Sequence, residues 1–355
     1  MPTTTEGMMS AISTDQNQFR LQQHVETLYE HQPRQLAFHA QSVEEFELWK
    51  QALRSKFSEL LGIAGKRPPT NPQATLVQTV DRGEYVEEKY ALDVGESVVA
   101  PMYVLVPKTP APYKAVLGFH GHDPSVQYIL GNYPDEQAKQ ENLAVDGNWA
   151  QELARAGYLV CAVEQRAFGE RITDQRRENE SRSSCRHLAF DYLLEGRTLI
   201  GMRCWDGMVA LSYLQNRPDV LQGGFACTGH SGGGTTSLWL STLDERITVA
   251  IPSCYFCSFD ASILGMEHCE CNYIPHVLEY GEMGDLAALL APRPVRFING
   301  AADPIFPVAA TREQFETVKA AYRLFGAEDR VSLTVHPGEH AYNHAFAQEW
   351  LQRWL

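Results

Sequence analysis

The stretch GGFACTGHSGGGTTSLWL, residues 223–240, sets Ser231 between an apolar, strand-like run and a helix-compatible one. Gly229-His230-Ser231-Gly232-Gly233 fits the pattern G-x-S-x-G, in which a serine sits on a sharp strand-to-helix turn. Such a turn leaves no room for side chains two residues either side of the serine, which explains Gly229 and Gly233. The helix that follows aims its free N–H groups at any negative charge developing near the hydroxyl. Ser231 is therefore the candidate nucleophile, and the N–H of Gly232 the first candidate oxyanion donor. His230, inside the motif, is not expected to be the base.

A serine hydroxyl is a weak nucleophile and needs a base held in the right tautomer by a third group. On a strand–turn–helix scaffold the expected order is serine, acid, histidine. VRFINGAADPIFP (295–307) places Asp303 just past a strand end, and VSLTVHPGEHAYN (331–343) places His340 in the loop after the next strand. Both then lie at the carboxyl edge of a sheet, where open α/β folds bind ligands. Asp260 is the alternative acid and His344, expected inside the last helix, the next alternative base. His336 ends its strand and is less free to reach Ser231. The loop FHGHDP (119–124) offers the second oxyanion donor, for which His122 is favoured; His120 is expected to hold the loop's shape.

The rest of the chain agrees with such a sheet. SVEEFELWKQALRSKFSELLG (42–62) is a capped helix whose Phe46, Trp49, Leu53, Phe57 and Leu60 form one packed face. Residues 75–107 read as three strands. After them strands near 114–120, 158–164, 223–229, 247–253, 295–300 and 331–336 alternate with helices, including 148–157, about 191–216 and a C-terminal helix in which Phe346, Trp350 and Trp354 share a face. The expected architecture is a mostly parallel central sheet with helices on both faces and an N-terminal helical extension. Residues 1–74 read as an arm and helical extension, and 75–355 as the catalytic domain.

With 355 residues, 44% hydrophobic and 21% charged, the chain has material for a sizeable core. A net charge of -14 disfavours nucleic acid or an anionic membrane as partner. No secretory signal and no membrane-spanning run are visible. Eight cysteines then read as reduced thiols of a cytoplasmic protein. Cys254, Cys257, His268, Cys269 and Cys271 invite a zinc reading, against which packing and a place in the active-site wall are favoured, so no metal and no cofactor are expected. Arg166 and Glu170 read as a structural ion pair, Trp205 and Asp206 as packing and surface, and 170–190 as a polar excursion over the site.

On LGFHGHDP (117–124), EQRAFGER (164–171), TGHSGGGTT (228–236), HCECNYIP (268–275), LLAPRPVRFINGAADPIFP (289–307) and HPGEHAYN (336–343), the region from about 43 to 355 resembles the α/β-hydrolase superfamily. The likeness is to bacterial acetyl-xylan-esterase-like and dienelactone-hydrolase-like proteins in particular. It implies Ser231, Asp303 and His340 as a triad that hydrolyses carboxylic esters through an acyl-enzyme. A serine nucleophile argues against dienelactone hydrolysis in the strict sense. The expected partner is a small-molecule ester, acetyl foremost, with self-association left open. A peptidase or amidase of the same fold and a catalytically silent binding protein are the competing readings; nothing before residue 114 carries the blade-length repeat of a propeller.

Overall fold

A computed structural model describes residues 21–179 and 182–355, which fall into two compact units divided between Pro33 and Arg34. In the first unit the described residues form helix α1 (Leu21–His31), none of whose residues is buried.

Among its described residues the second unit has nine strands: β1 (Ala74–Asp81), β2 (Tyr85–Asp93), β3 (Val99–Pro107), β4 (Ala115–Phe119), β5 (Leu159–Val163), β6 (Phe225–His230), β7 (Ile247–Ser253), β8 (Val295–Gly300) and β9 (Val331–His336). They form one sheet in the order β1-β2-β3-β5-β4-β6-β7-β8-β9. The pairs from β1 to β5 are antiparallel, and those from β5 through β4 to β9 are parallel. The chain crosses over between β5 and β4 and again at β6, so the carboxyl ends of β4 and β6 lie side by side.

Its helices are α2 (Val43–Leu60), α3 (Glu136–Ala144), α4 (Trp149–Arg155), α5 (Asp174–Glu178), α6 (Cys185–Leu194), α7 (Leu199–Gln215), α8 (Gly232–Leu243), α9 (Val277–Tyr280), α10 (Met283–Ala288), α11 (Val308–Arg323) and α12 (His344–Trp354). They divide between the two faces because central strands alternate their side chains. Leu117, Phe119, Leu159, Cys161, Phe225 and Cys227 pack toward α2, α7 and α8. Their neighbours Val116, Val160, Ala162 and Ala226 pack toward Trp149 and Leu153 of α4 and Trp350 and Leu351 of α12. Strands buried on both faces read as continuous apolar runs, which is why LVCAV at β5 carries no polar residue.

α2 forms as its caps predict. The Ser42 hydroxyl accepts from the Glu45 N–H at 3.2 Å, and the Glu45 carboxylate accepts the Gln41 N–H at 2.8 Å. Phe46, Leu53 and Phe57 are fully buried, with Trp49 and Leu60 partly so. The single helix expected over 191–216 is two. α6 ends at Leu194, Gly196 takes a positive φ of 68°, and the Thr198 hydroxyl restarts the chain as α7 by accepting from the Gly201 N–H at 3.0 Å. Among the described residues, no helix is long and apolar enough to cross a membrane.

Candidate active site

Ser231 stands alone between the end of β6 and the start of α8, with φ 56° and ψ −120°. This conformation is costly for a residue with a Cβ and persists only where its surroundings enforce it. Here the Ser231 N–H donates to Ser253 O at 2.9 Å, and its carbonyl accepts from the Thr235 N–H at 2.9 Å. A Cβ on Gly229 would collide with the Gly233 carbonyl and stand 2.8 Å from Phe119 O; one on Gly233 would run into the Phe119 carbonyl itself. The steric reason given for both glycines is therefore met atom by atom. The threonines after the glycines fasten α8 to its flanking loops: Thr235 Oγ1 donates to Asn272 Oδ1 at 2.9 Å and Thr236 Oγ1 to Gln165 Oε1 at 2.6 Å.

Asp303 and His340 arrive on neighbouring loops after β8 and β9, tied together by bonds from Ala301 N to His336 O and from Ala302 N to Gly338 O. His340 Nδ1 lies 2.8 Å from Asp303 Oδ2. The other carboxylate oxygen accepts the N–H groups of Ile305 at 2.8 Å and Phe306 at 3.1 Å. Burial pushes the Asp303 carboxyl up, but His340 and the two backbone donors outweigh it and leave it below its ordinary value. The His340 ring stacks on Phe306, with centroids 5.8 Å apart and planes at 19°. Tyr342 holds the loop from below, bonded to Thr228 Oγ1 at 2.7 Å and stacked on Trp149.

Of the alternative candidates, His344 and His336 are held by other groups. His344 is the first residue of α12 rather than an interior one, and Asp146 clamps both its Nδ1 and its N–H at 2.6 Å. His336 Nε2 faces Ala341 O, and its Nδ1 accepts from Gly338 N. Asp260 is exposed in a short helical turn after β7. His230 packs its ring 4.8 Å from that of His340. Burial, then the charges of His340 and other nearby histidines, push its pKa well below normal, so it stays neutral.

Ser231, His340, His230, His122, Asp123, Val145, Met266, Glu267, His268, Cys269 and Ile305 line one cavity of about 460 Å³. His122 sets its imidazole against the turn: a Cβ on Gly232 would lie 2.8 Å from His122 Cε1. His120 is fully buried behind it, with Nδ1 2.9 Å from Gly121 O and Nε2 accepting the Gln165 N–H at 3.1 Å. That is the loop-holding role expected of it. His268 was grouped with the cysteines in the sequence, yet its ring faces this cavity. Its Nδ1 accepts from Cys269 N and Asn272 Nδ2, each at 3.0 Å, so the proton sits on Nε2, which is buried without a partner among the described residues. Burial first, then His122 and His340, lower its pKa to about 4.

Two other expectations change. Arg166 pairs with Asp206, Nε to Oδ2 at 2.9 Å and Nη2 to Oδ1 at 2.7 Å, and Arg171 adds a bond to the same carboxylate at 2.7 Å. Glu170 instead meets Lys89 and Tyr103. Asp206 is only 1% exposed, so it is the centre of a buried ion triad and not surface. The cysteines also part company. Burial pushes Cys254 up to about 12 and Cys257 up to about 11, and each thiol donates to a backbone carbonyl, of Ala341 and Pro307 respectively. Cys269 and Cys271 lie elsewhere, beside Cys185 and His122.

A model of the Abhydrolase family matches residues 7–352, nearly the whole chain. The chain belongs to the Abhydrolase family. It is 28% identical over 309 residues to the Bacillus subtilis (strain 168) protein named "Putative hydrolase YtaP", covering 85% of this chain and 98% of that one. Among solved structures, a Bacteroides fragilis NCTC 9343 protein titled as a "putative acetyl xylan esterase" superposes with a TM-score of 0.77 at 19% identity over 93% of each chain. A glucuronoyl esterase from Solibacter usitatus superposes at 0.66 with 15% identity, over 90% of this chain and 96% of that one. These likenesses bear out the α/β-hydrolase fold and the acetyl-xylan-esterase-like resemblance read from the sequence.

Proposed function

We propose that this Abhydrolase-family protein is a serine esterase that cleaves short acyl esters, acetyl foremost, with carbohydrate acetates as a natural substrate class. Ser231 attacks the ester carbonyl while His340 accepts the hydroxyl proton through Nε2. Asp303 fixes the imidazole tautomer through Nδ1 and stabilises the imidazolium that forms. The N–H groups of Gly232 and His122 receive the oxyanion. His340 then protonates the leaving alcohol, and water, activated by the same imidazole, releases the acid.

The observation that carries the reading is the 2.8 Å His340–Asp303 bond beside a serine on a strained turn in the same cavity. A neutral His230 adds to it: a second imidazolium packed against His340 would oppose the charge that the mechanism must build there. The cavity beside Ser231, about 460 Å³ and lined in part by Val145, Met266 and Ile305, has room for an acyl group together with part of the alcohol.

Hydrolysis of p-nitrophenyl acetate by the Ser231→Ala variant tests it. A loss of about a thousandfold or more in kcat is expected, because removing a triad member costs on the order of 10⁴ or more. Retention of most of the activity would contradict the reading. Matched ester and anilide substrates separate it from the amidase alternative, with turnover of the ester alone expected.

A further inference from the structure

Four side chains from three separate stretches of chain converge beside the Ser231 cavity, which His122 and Cys269 also line. They are His122 in the loop after β4, Cys185 at the first position of α6, and Cys269 and Cys271 in the loop between β7 and α9. Their ligand atoms all lie within 4.8 Å of one another. Cys271 Sγ is 3.2 Å from Cys269 Sγ and 3.4 Å from His122 Nε2. In a tetrahedral zinc site, metal–ligand bonds of about 2.3 Å to sulfur and 2.0–2.1 Å to nitrogen put neighbouring donors roughly 3.5–3.8 Å apart. The four atoms need only small shifts to reach that arrangement.

A second observation asks for negative charge here. Arg203 of α7 is 1% exposed, and among the described residues no carboxylate pairs with it. Its guanidinium donates to Arg166 O, at 3.2 Å from Nε and 2.9 Å from Nη2, and to Cys185 Sγ at 3.2 Å, while Nη1 has no partner among those residues. An uncompensated buried guanidinium is strongly destabilising. Three thiolates around a divalent ion leave one net negative charge, which is what Arg203 would balance.

We propose that His122 Nε2 and the sulfurs of Cys185, Cys269 and Cys271 bind one zinc ion as a closed, structural tetrahedral site. A donor set of three thiolates and one imidazole selects zinc among common divalent ions, and four protein ligands leave no open position for substrate. Binding releases the three thiol protons to solvent; His122 stays neutral with its remaining proton on Nδ1. No electron changes hands. The ion would link the oxyanion loop, the start of α6 and the loop bearing His268, thereby replacing the packing reading of Cys269 and Cys271. It would also pin the His122 ring against Gly232; what that does to the oxyanion donors rests on the esterase reading.

The full-length protein, purified from zinc-supplemented cells without chelator, should contain about one zinc per chain. After chelator stripping under reducing conditions, one equivalent of cobalt(II) should give the intense thiolate-to-cobalt and d–d absorption of a tetrahedral site. Cys269→Ser and Cys271→Ser should weaken both signals while keeping the far-ultraviolet dichroism of the wild type. The Ser231→Ala variant should bind metal as the wild type does, which separates this proposal from the catalytic one. Absence of zinc together with no tetrahedral cobalt spectrum from the wild-type protein would overturn the proposal. So would a disulfide among Cys185, Cys269 and Cys271, with no metal, in protein as purified.

Discussion

His340 and Asp303 stand 2.8 Å apart on adjacent loops, and the aspartate's second oxygen is held by two backbone N–H groups, so the carboxylate is fixed before it meets the imidazole. Asp303→Asn keeps the shape and removes the charge. It should favour the wrong imidazole tautomer and cut kcat on an acetyl ester by about 10³–10⁴, measured at neutral pH.

The same pair sets part of the acid stability. The Asp303 carboxyl lies below its ordinary 3.8, so its contribution is present at neutral pH and lost as pH falls through the lowered value. Denaturant midpoints measured from pH 7 down to pH 2 should drop less steeply at the acid end for Asp303→Asn than for the wild type.

Histidines bring a separate decline at higher pH. His268 falls from an ordinary 6.5 to about 4, because its burial disfavours the charged ring. The unfolded chain therefore binds more protons than the native one between those values, and stability should fall as pH drops from about 6.5 toward 4. His268→Phe should flatten that part of the curve in thermal melts across the window.

Among the described residues, Asp206 is the sole carboxylate bonded to Arg166, and it is shared with Arg171. Asp206→Ala leaves two guanidinium groups without their buried partner. A loss of about 3–5 kcal/mol is expected from urea unfolding, far more than for a surface ion pair such as Lys319–Glu316.

Gly233→Ala tests the turn itself. The new methyl would enter the Phe119 carbonyl, so β4 and α8 must separate. About 3 kcal/mol or more of stability should be lost, read as a lower melting temperature, with activity falling in the protein that still folds.

The strand–turn–helix around Ser231 was legible because its constraint is local: two glycines at fixed offsets answer to backbone atoms within the same turn or the adjacent strand. Asp303 and His340 were legible because each follows a strand whose carboxyl end the sheet order places near Ser231. Contacts between distant stretches were not. Arg166 and Asp206 are 40 residues apart, and nothing in EQRAFGER says that Arg166 bypasses Glu170. Cys185 sits in a polar stretch far from HCEC, so its meeting with Cys269 and Cys271 depends on α6 packing beside that loop. The break between α6 and α7 did leave a signal in Gly196-Arg197-Thr198, a helix stop followed by an N-cap. α11 also left one, in Thr311, Phe315, Val318 and Tyr322 at helical spacing.

Labelling with a fluorophosphonate probe, followed by peptide mass spectrometry, bears most directly on the central claim that Ser231 is the nucleophile. One adduct per chain on the Ser231 peptide is expected, with esterase activity lost in proportion and no labelling of Ser231→Ala. An active enzyme that the probe leaves unmodified at Ser231, or that keeps its activity once Ser231 is labelled, would contradict the account.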